Sequence, residues 1–185
     1  MFVSYLLSTI GFVFYYLYDI NSITYHYKIA QSFFMIGSVF LVISTLNIFI
    51  LYHIKSYIML GLSFLFFILL MYTLFFALPF DETYCQENHQ RLAYTKGVYA
   101  LCRHPGVLWF SFMYILLTFA FKESMIVYTI IMITYNLIYI LLQDFLIFPR
   151  TFSNYNEYKK TTPFLIPRIH HIRECFHTLR GEKSS

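Results

Sequence analysis

The chain has 185 residues, 59% of them hydrophobic and 12% charged, with a formal net charge of +4. Soluble domains carry about 25% charged residues, so an ordinary soluble domain is a poor fit, and the 22 Phe and 18 Tyr suit lipid-facing helices and interfacial belts. Cys85, Cys102 and Cys175 form no CxxC pair and the seven histidines show no HExxH spacing, which argues against a disulfide framework or a metal site.

A spanning helix needs about 20 mainly apolar residues. Five stretches approach that length, and the chain reads as one all-α membrane bundle of about five transmembrane helices with a short amphipathic C-terminal helix and tail. Residues 1–80 supply three N-terminal spans: Phe2 to Ile20, Ala30 to Tyr52 and Tyr57 to Phe80. The first has no basic leader and no small-residue cleavage site, so it reads as a retained helix rather than a signal peptide. Residues 81–105 form a loop expected on the cytosolic side, and its stretch Asp81 to Lys96 is the longest polar connection. That stretch reads equally as a lid over a site or as a plain solvated loop.

Residues 106–148 read as a helical hairpin. Its first arm, Gly106 to Phe121, rises only about 24 Å against a core of about 30 Å. Lys122, Glu123 and Ser124 are expected to form a tight helical turn, with Ser124 as N-cap. The second arm, Met125 to Phe148, is apolar as far as Leu142 and then carries Gln143 and Asp144.

Residues 149–185 form a cytosolic tail beginning at Pro149. Phe152, Tyr155 and Tyr158 recur every three residues beside Glu157, Lys159 and Lys160, as in a short amphipathic helix on a membrane surface. Thr162-Pro163 and Ile166-Pro167 break regular structure, and everything after Arg168 reads as a solvated tail. Five spans place Lys28, Arg91, Lys96, Arg103 and the seven tail cations on one side, against Lys55 and Lys122 on the other. That bias makes the Arg103 loop and the C-terminus cytosolic.

Chemistry concentrates in Gly97-Val98-Tyr99-Ala100-Leu101-Cys102-Arg103-His104-Pro105. Pro105 suits the first turn of a helix and pushes His104 out of helical geometry, to the cap. The free N–H groups of that helix start, with Arg103 beside them, suit a carboxylate or phosphate. Asp144 is an acid where only cations are expected. If the two arms pair, Arg103 and Asp144 share one end and could receive the carboxylate and the ammonium of a zwitterion. Taken singly, Arg103 is a positive-inside anchor, His104 an interfacial polar group, Tyr99 part of an aromatic belt and Gln143-Asp144 the polar end of a span.

Gly97-x-Tyr99-x-x-x-Arg103-His104-Pro105 resembles the signature of the isoprenylcysteine carboxyl methyltransferase family, shared with phospholipid N-methyltransferases. Gln143-Asp144 stands where that family has two glutamates. Tyr155-x-x-Tyr158-Lys159-Lys160 and Pro163 follow at the family's spacing, so the resemblance runs from Gly97 to Pro167. The chain departs at Val107, where the family has a tyrosine, at Trp109, where it has a small residue, and at Gln143. No cation lies between Met125 and Phe148 to hold a substrate carboxylate.

The resemblance implies an S-adenosylmethionine-dependent methyltransferase acting at the cytosolic face on a lipid or lipid-modified carboxylate, thiol or amine. It implies no metal and no nucleic-acid partner. Arg103, His104 and Asp144 would be the catalytic residues. Arg103 would take the cofactor carboxylate, and Asp144 its amino group with help from Gln143. Gly97 and Pro105 would shape the site, His104 and Tyr99 would meet the adenosine part, and Tyr155 and Tyr158 would close the pocket. An amine acceptor would need a base, His104 or Asp144. Two other readings are a non-catalytic family member that binds lipid or a partner, and an NADPH-dependent sterol-type reductase, which carries a similar arginine–histidine–proline element.

Overall fold

A computed structural model describes residues 1–77, 92–123 and 125–179. The described residues form helices joined by short non-helical links, with one isolated bridge between Ile54 and Phe121. Four helices are long and apolar enough to cross a membrane: Phe2–Thr24, Lys28–Leu51, Tyr57–Phe75 and Ile126–Thr151. Pro105–Ala120 is apolar but shorter, as the sequence length of that arm requires.

Helix α1 (Phe2–Thr24) packs on α2 (Phe33–Leu51), which is preceded by a 3-10 turn at Lys28–Ser32. The two approach closely where two glycines face each other. A Cβ on Gly37 would stand 2.7 Å from the Gly11 carbonyl oxygen, so only a hydrogen fits between the backbones. Helix α3 (Tyr57–Phe75) is started by Ser56, whose hydroxyl accepts from the Met59 N–H. It packs on α5 (Pro105–Ala120), and the Ser63 hydroxyl donates to the Met113 carbonyl at 3.0 Å. Helix α6 (Ile126–Leu142) returns beside α5 and also meets α1.

The core between these helices is aromatic: Phe12, Phe110, Tyr114, Tyr128 and Tyr139 are buried together with Met132. Its tyrosine hydroxyls find partners on α2, Tyr114 with Thr45 at 2.6 Å and Tyr128 with Ser44 at 2.7 Å. Each bond relieves a buried polar group and fixes the rotation of the helices that supply it. At one end of the bundle the α2–α3 link is stitched to the end of α5: Lys55 N–H and Ser56 N–H both donate to the Ala120 carbonyl. In place of the expected helical turn, the described residues Lys122 and Glu123 form a bend tied to the α2–α3 link. Lys122 N–H donates to the His53 carbonyl, and the Glu123 carboxylate accepts from His53 N–H. The neighbouring link supplies hydrogen bonds that a lone three-residue turn lacks. Ser124, expected as the N-cap, lies outside the described residues, as do residues 81–91 of the expected lid.

The other end carries the polar elements. Helix α6 runs on through a π-turn at Gln143–Ile147, in which Phe148 N–H reaches five residues back to the Gln143 carbonyl. It continues as α7 (Phe148–Thr151), so helix persists past Pro149 instead of stopping there. Proline is tolerated because it falls in the first turn of the new segment, where its missing N–H is not needed. Helix α4 (Val98–Leu101), α8 (Tyr155–Thr161) and α9 (Ile169–Leu179) complete this end.

Two tail expectations are corrected. Helix α8 does not lie on a surface by its aromatic side, because Tyr155 and Tyr158 are buried in the structure and hydrogen-bonded. Of the segment after Arg168, the described residues Ile169–Leu179 are not free coil but α9. Its His171 and Cys175 pack inward, one turn apart, and Thr178 accepts from Gly97 N–H at 2.9 Å.

Candidate functional site

The site is organised around one carboxylate. Asp144 is the second residue of the π-turn and is 1% exposed. Arg103 grips it with two bonds, Nε to Oδ1 at 2.9 Å and Nη2 to Oδ2 at 3.2 Å. His104 Nε2 stands 2.9 Å from Oδ1, the Tyr155 hydroxyl donates to Oδ1 at 2.6 Å, and Lys159 Nζ lies 3.0 Å from Oδ2. Four side chains from two distant stretches therefore meet on one acid. Such a group is tolerated in an apolar bundle only when it is paired this fully.

Local sequence explains how each group arrives. Gly97 adopts φ 61°, ψ −134°, a conformation open to glycine and strained for other residues, and so starts α4 after a sharp turn. His104 caps α5 in non-helical geometry and Pro105 occupies its first turn. Arg103 N–H donates to the Pro163 carbonyl at 2.9 Å. Its remaining nitrogen, Nη1, donates to the Thr162 carbonyl at 2.8 Å and the Lys159 carbonyl at 3.3 Å. The arginine thus binds the carboxylate with one edge and the tail backbone with the other. Its side chain is 9% exposed.

Aromatic rings wall the clasp. His104 stacks on Phe148 with centroids 5.8 Å apart and meets Phe164 edge-on at 5.0 Å. Phe164 also lies 5.6 Å from the Arg103 guanidinium carbon. Burial outweighs the neighbouring carboxylate, so His104 titrates below its ordinary value, with Arg103 and Lys159 pushing the same way. At neutral pH it is a neutral imidazole donating Nε2–H to Asp144. Burial and the hydrogen bond to Asp144 push the Tyr155 phenol well up, so it remains a donor. Burial pushes the Cys102 thiol up to about 12, which removes it as a nucleophile.

Every expected site residue among these elements is placed. Arg103, His104, Asp144 and Tyr155 are in direct contact. Tyr158 stands behind them and donates to the Tyr99 carbonyl at 2.6 Å. Tyr99 itself points to α3, where its hydroxyl donates to the Thr73 carbonyl at 3.1 Å. Trp109, at a position expected to be small, joins it there by donating to the Thr73 hydroxyl at 3.0 Å. Val107 is buried in the core.

Two expected roles are corrected. Arg103 and Asp144 do not stand apart as an anion site and a cation site; they neutralise each other, because the π-turn brings the carboxylate within reach of the arginine fork. Gln143 does not assist Asp144. Its Nε2 donates to Asp19 Oδ2 and to the Tyr139 hydroxyl, both at 2.9 Å, since successive helical residues point about 100° apart.

Sequence reasoning gives no site role to four contributors. Lys159 belongs to the Tyr-x-x-Tyr-Lys segment, and its position in that run was the available signal. Asp19 is an acid inside an apolar helix, which is itself a signal. The Thr162 and Pro163 carbonyls had none.

Beside the clasp, α4, α5 and α9 enclose an apolar groove of about 610 Å³, lined by Leu101, Leu108, Trp109, Phe112, Ile172 and Phe176 among others. Leu101 and Leu108 flank the Arg103-His104-Pro105 run on either side. In comparisons with known proteins, no family model, no curated protein and no solved structure matches the chain.

Proposed function

We propose that the chain is an integral membrane S-adenosylmethionine-dependent methyltransferase of the isoprenylcysteine carboxyl methyltransferase type. In this reading the four long helices and the short α5 form a five-span bundle whose clasp end faces the cytosol. The observation that carries the reading is the convergence of Arg103, His104, Tyr155 and Lys159 on Asp144. It joins the two halves of a motif that are separate in sequence.

The cofactor fits the clasp only with revised roles. Arg103 and Asp144 are spent on each other and frame the site. Lys159 uses two of its three ammonium hydrogens, on the Asp144 carboxylate and the Asp144 carbonyl. It keeps a quarter of its side chain exposed, so it is the better candidate for the cofactor carboxylate. The rings of His104, Phe148 and Phe164 suit an adenine and a sulfonium. Bound there, the cofactor supplies an electrophilic methyl group. The chain's residues then act by alignment and water exclusion. Neutral His104 is the group placed to accept a proton from an amine acceptor. The apolar groove fits the hydrocarbon part of a lipid or lipid-modified acceptor.

A second reading, a non-catalytic lipid- or partner-binding member, is favoured by the same mutual neutralisation of Arg103 and Asp144. Calorimetric titration of the purified chain with S-adenosylmethionine, S-adenosylhomocysteine and NADPH separates them. The methyltransferase reading expects saturable binding of the first two, weakened at least tenfold in Lys159→Met. Binding of none supports the non-catalytic member, and binding of NADPH alone supports the reductase.

A further inference from the structure

Asp19 sits near the end of the apolar helix α1 and is 4% exposed. Among the described residues no cation pairs with it. Its hydrogen-bond partner is the neutral Gln143 amide. The Gln143 nitrogen offers two hydrogens. One goes to Asp19 and the other to the Tyr139 hydroxyl. Three side chains from α1 and the end of α6 thus meet in a triangle around the Gln143 nitrogen.

The chemistry of this triangle dictates residue types. A carboxylate only accepts hydrogen bonds, so whatever faces Asp19 must donate. The amide of Gln143 does so; an ionised glutamate there would place two negative charges about 3 Å apart in an apolar setting. Asp19 therefore explains why position 143 carries an amide where the resemblance leads one to expect an acid. Gln143 and Asp144 are consecutive residues of the same π-turn. A grip on Gln143 from α1 consequently sets the rotation at which Asp144 is presented to Arg103 and His104 on the opposite side.

We infer that Asp19 is a positioning residue of the site: through Gln143 it locks the π-turn and so aims Asp144 into the clasp. The claim concerns the His104–Asp144 bond and holds whether or not any cofactor binds.

The test uses the full chain, histidine-labelled with nitrogen-15 and reconstituted in lipid nanodiscs. The His104 Nε2 resonance, assigned by its loss in His104→Asn, reports the bond to Asp144. Gln143→Glu is expected to shift that resonance and lower the unfolding temperature. Asp19→Asn in the same chain is expected to restore both, because its amide donates back to the carboxylate introduced at position 143. Should Gln143→Glu fail to fold, recovery of a folded chain with the native resonance in the double variant is the same rescue. Asp19→Ala alone is expected to shift the resonance. Asn21→Ala, on the same helix as Asp19, breaks a contact to Tyr27 in the link beyond it and is expected to lower stability without moving the resonance. A double variant no better than Gln143→Glu, an Asp19→Ala chain with the native resonance, or an equal shift in Asn21→Ala would overturn the inference.

Discussion

The Tyr158 hydroxyl donates to the Tyr99 carbonyl at 2.6 Å, binding the tail to the motif loop across 59 residues of chain. Both groups are at least partly sheltered, and removing the hydroxyl takes this donor from a half-buried carbonyl. Such a loss costs roughly 1–3 kcal/mol. Tyr158→Phe is therefore expected to loosen residues 155–179 before the bundle melts. Limited proteolysis with trypsin would show faster cutting at Lys159 and Lys160. An unchanged cleavage rate would mean that the packing of the ring, not its hydroxyl, holds the tail.

The Arg103–Asp144 pair makes a sharper forecast. Breaking a buried pair strands a charge and costs about 3–5 kcal/mol, whereas replacing both partners by apolar groups is often neutral. Arg103→Met and Asp144→Leu should each lower the denaturation midpoint markedly, and the double variant should recover much of the loss. Chemical unfolding in mild detergent reads this directly. The Lys159 and His104 donors, left facing an apolar side chain at position 144, set the part that is not recovered. A double variant as unstable as the sum of the singles would show that the two side chains act independently.

His104 brings a pH dependence. Its imidazole titrates below the ordinary value of about 6.5 in the folded chain because it is buried. Between the folded and unfolded values the unfolded chain binds more protons, so stability rises with pH across that window. The contribution is fully present above about pH 6.5 and is lost as the pH falls toward the folded value. Thermal melts from pH 7.5 downward should show a decline beginning near pH 6.5 that is smaller in His104→Gln. An identical decline in that variant would assign the acid sensitivity to other groups.

Two glycines near the site give a contrast. Gly97 holds a positive φ, so Gly97→Ala should cost about 1–3 kcal/mol of backbone strain. The added methyl itself would meet only Leu179, at an ordinary 3.5 Å. Gly106 lies in the first turn of α5, where a Cβ would make only ordinary contacts, the nearest with Leu70 at 3.6 Å. Gly106→Ala should stabilise by roughly 0.5–1 kcal/mol through helix propensity. Comparing the two melting temperatures tests whether conformation rather than space decides at position 97.

Much of this arrangement was legible in the residues. Hydropathy marked every long helix, and Pro105 marked the start of α5, because both signals are local. The proximity of Arg103 and Asp144 followed from pairing the two arms of one hairpin. Their relation was not legible: whether a guanidinium and a carboxylate face a ligand or each other depends on the extra residue of the π-turn. Gln143 and Tyr99 were placed with the site because they neighbour its residues in sequence. Helical rotation sends the first to α1, and a hydrogen bond to Thr73 sends the second to α3. Helix α9 was missed because its stability comes from packing on α4 and from Thr178 capping Gly97, contacts that composition does not reveal.

The order of groups along the chain has a consequence for biogenesis. The Arg103 guanidinium needs Asp144 and the carbonyls of Lys159 and Thr162, the last of them 59 residues further on. Ribosomes add about 5–20 residues per second, so that cation waits on the order of 3–12 s between its own synthesis and that of its final acceptor. The clasp can therefore close only after all the long apolar helices have been made, and the bond from Gly97 to Thr178 on α9 can form only later still.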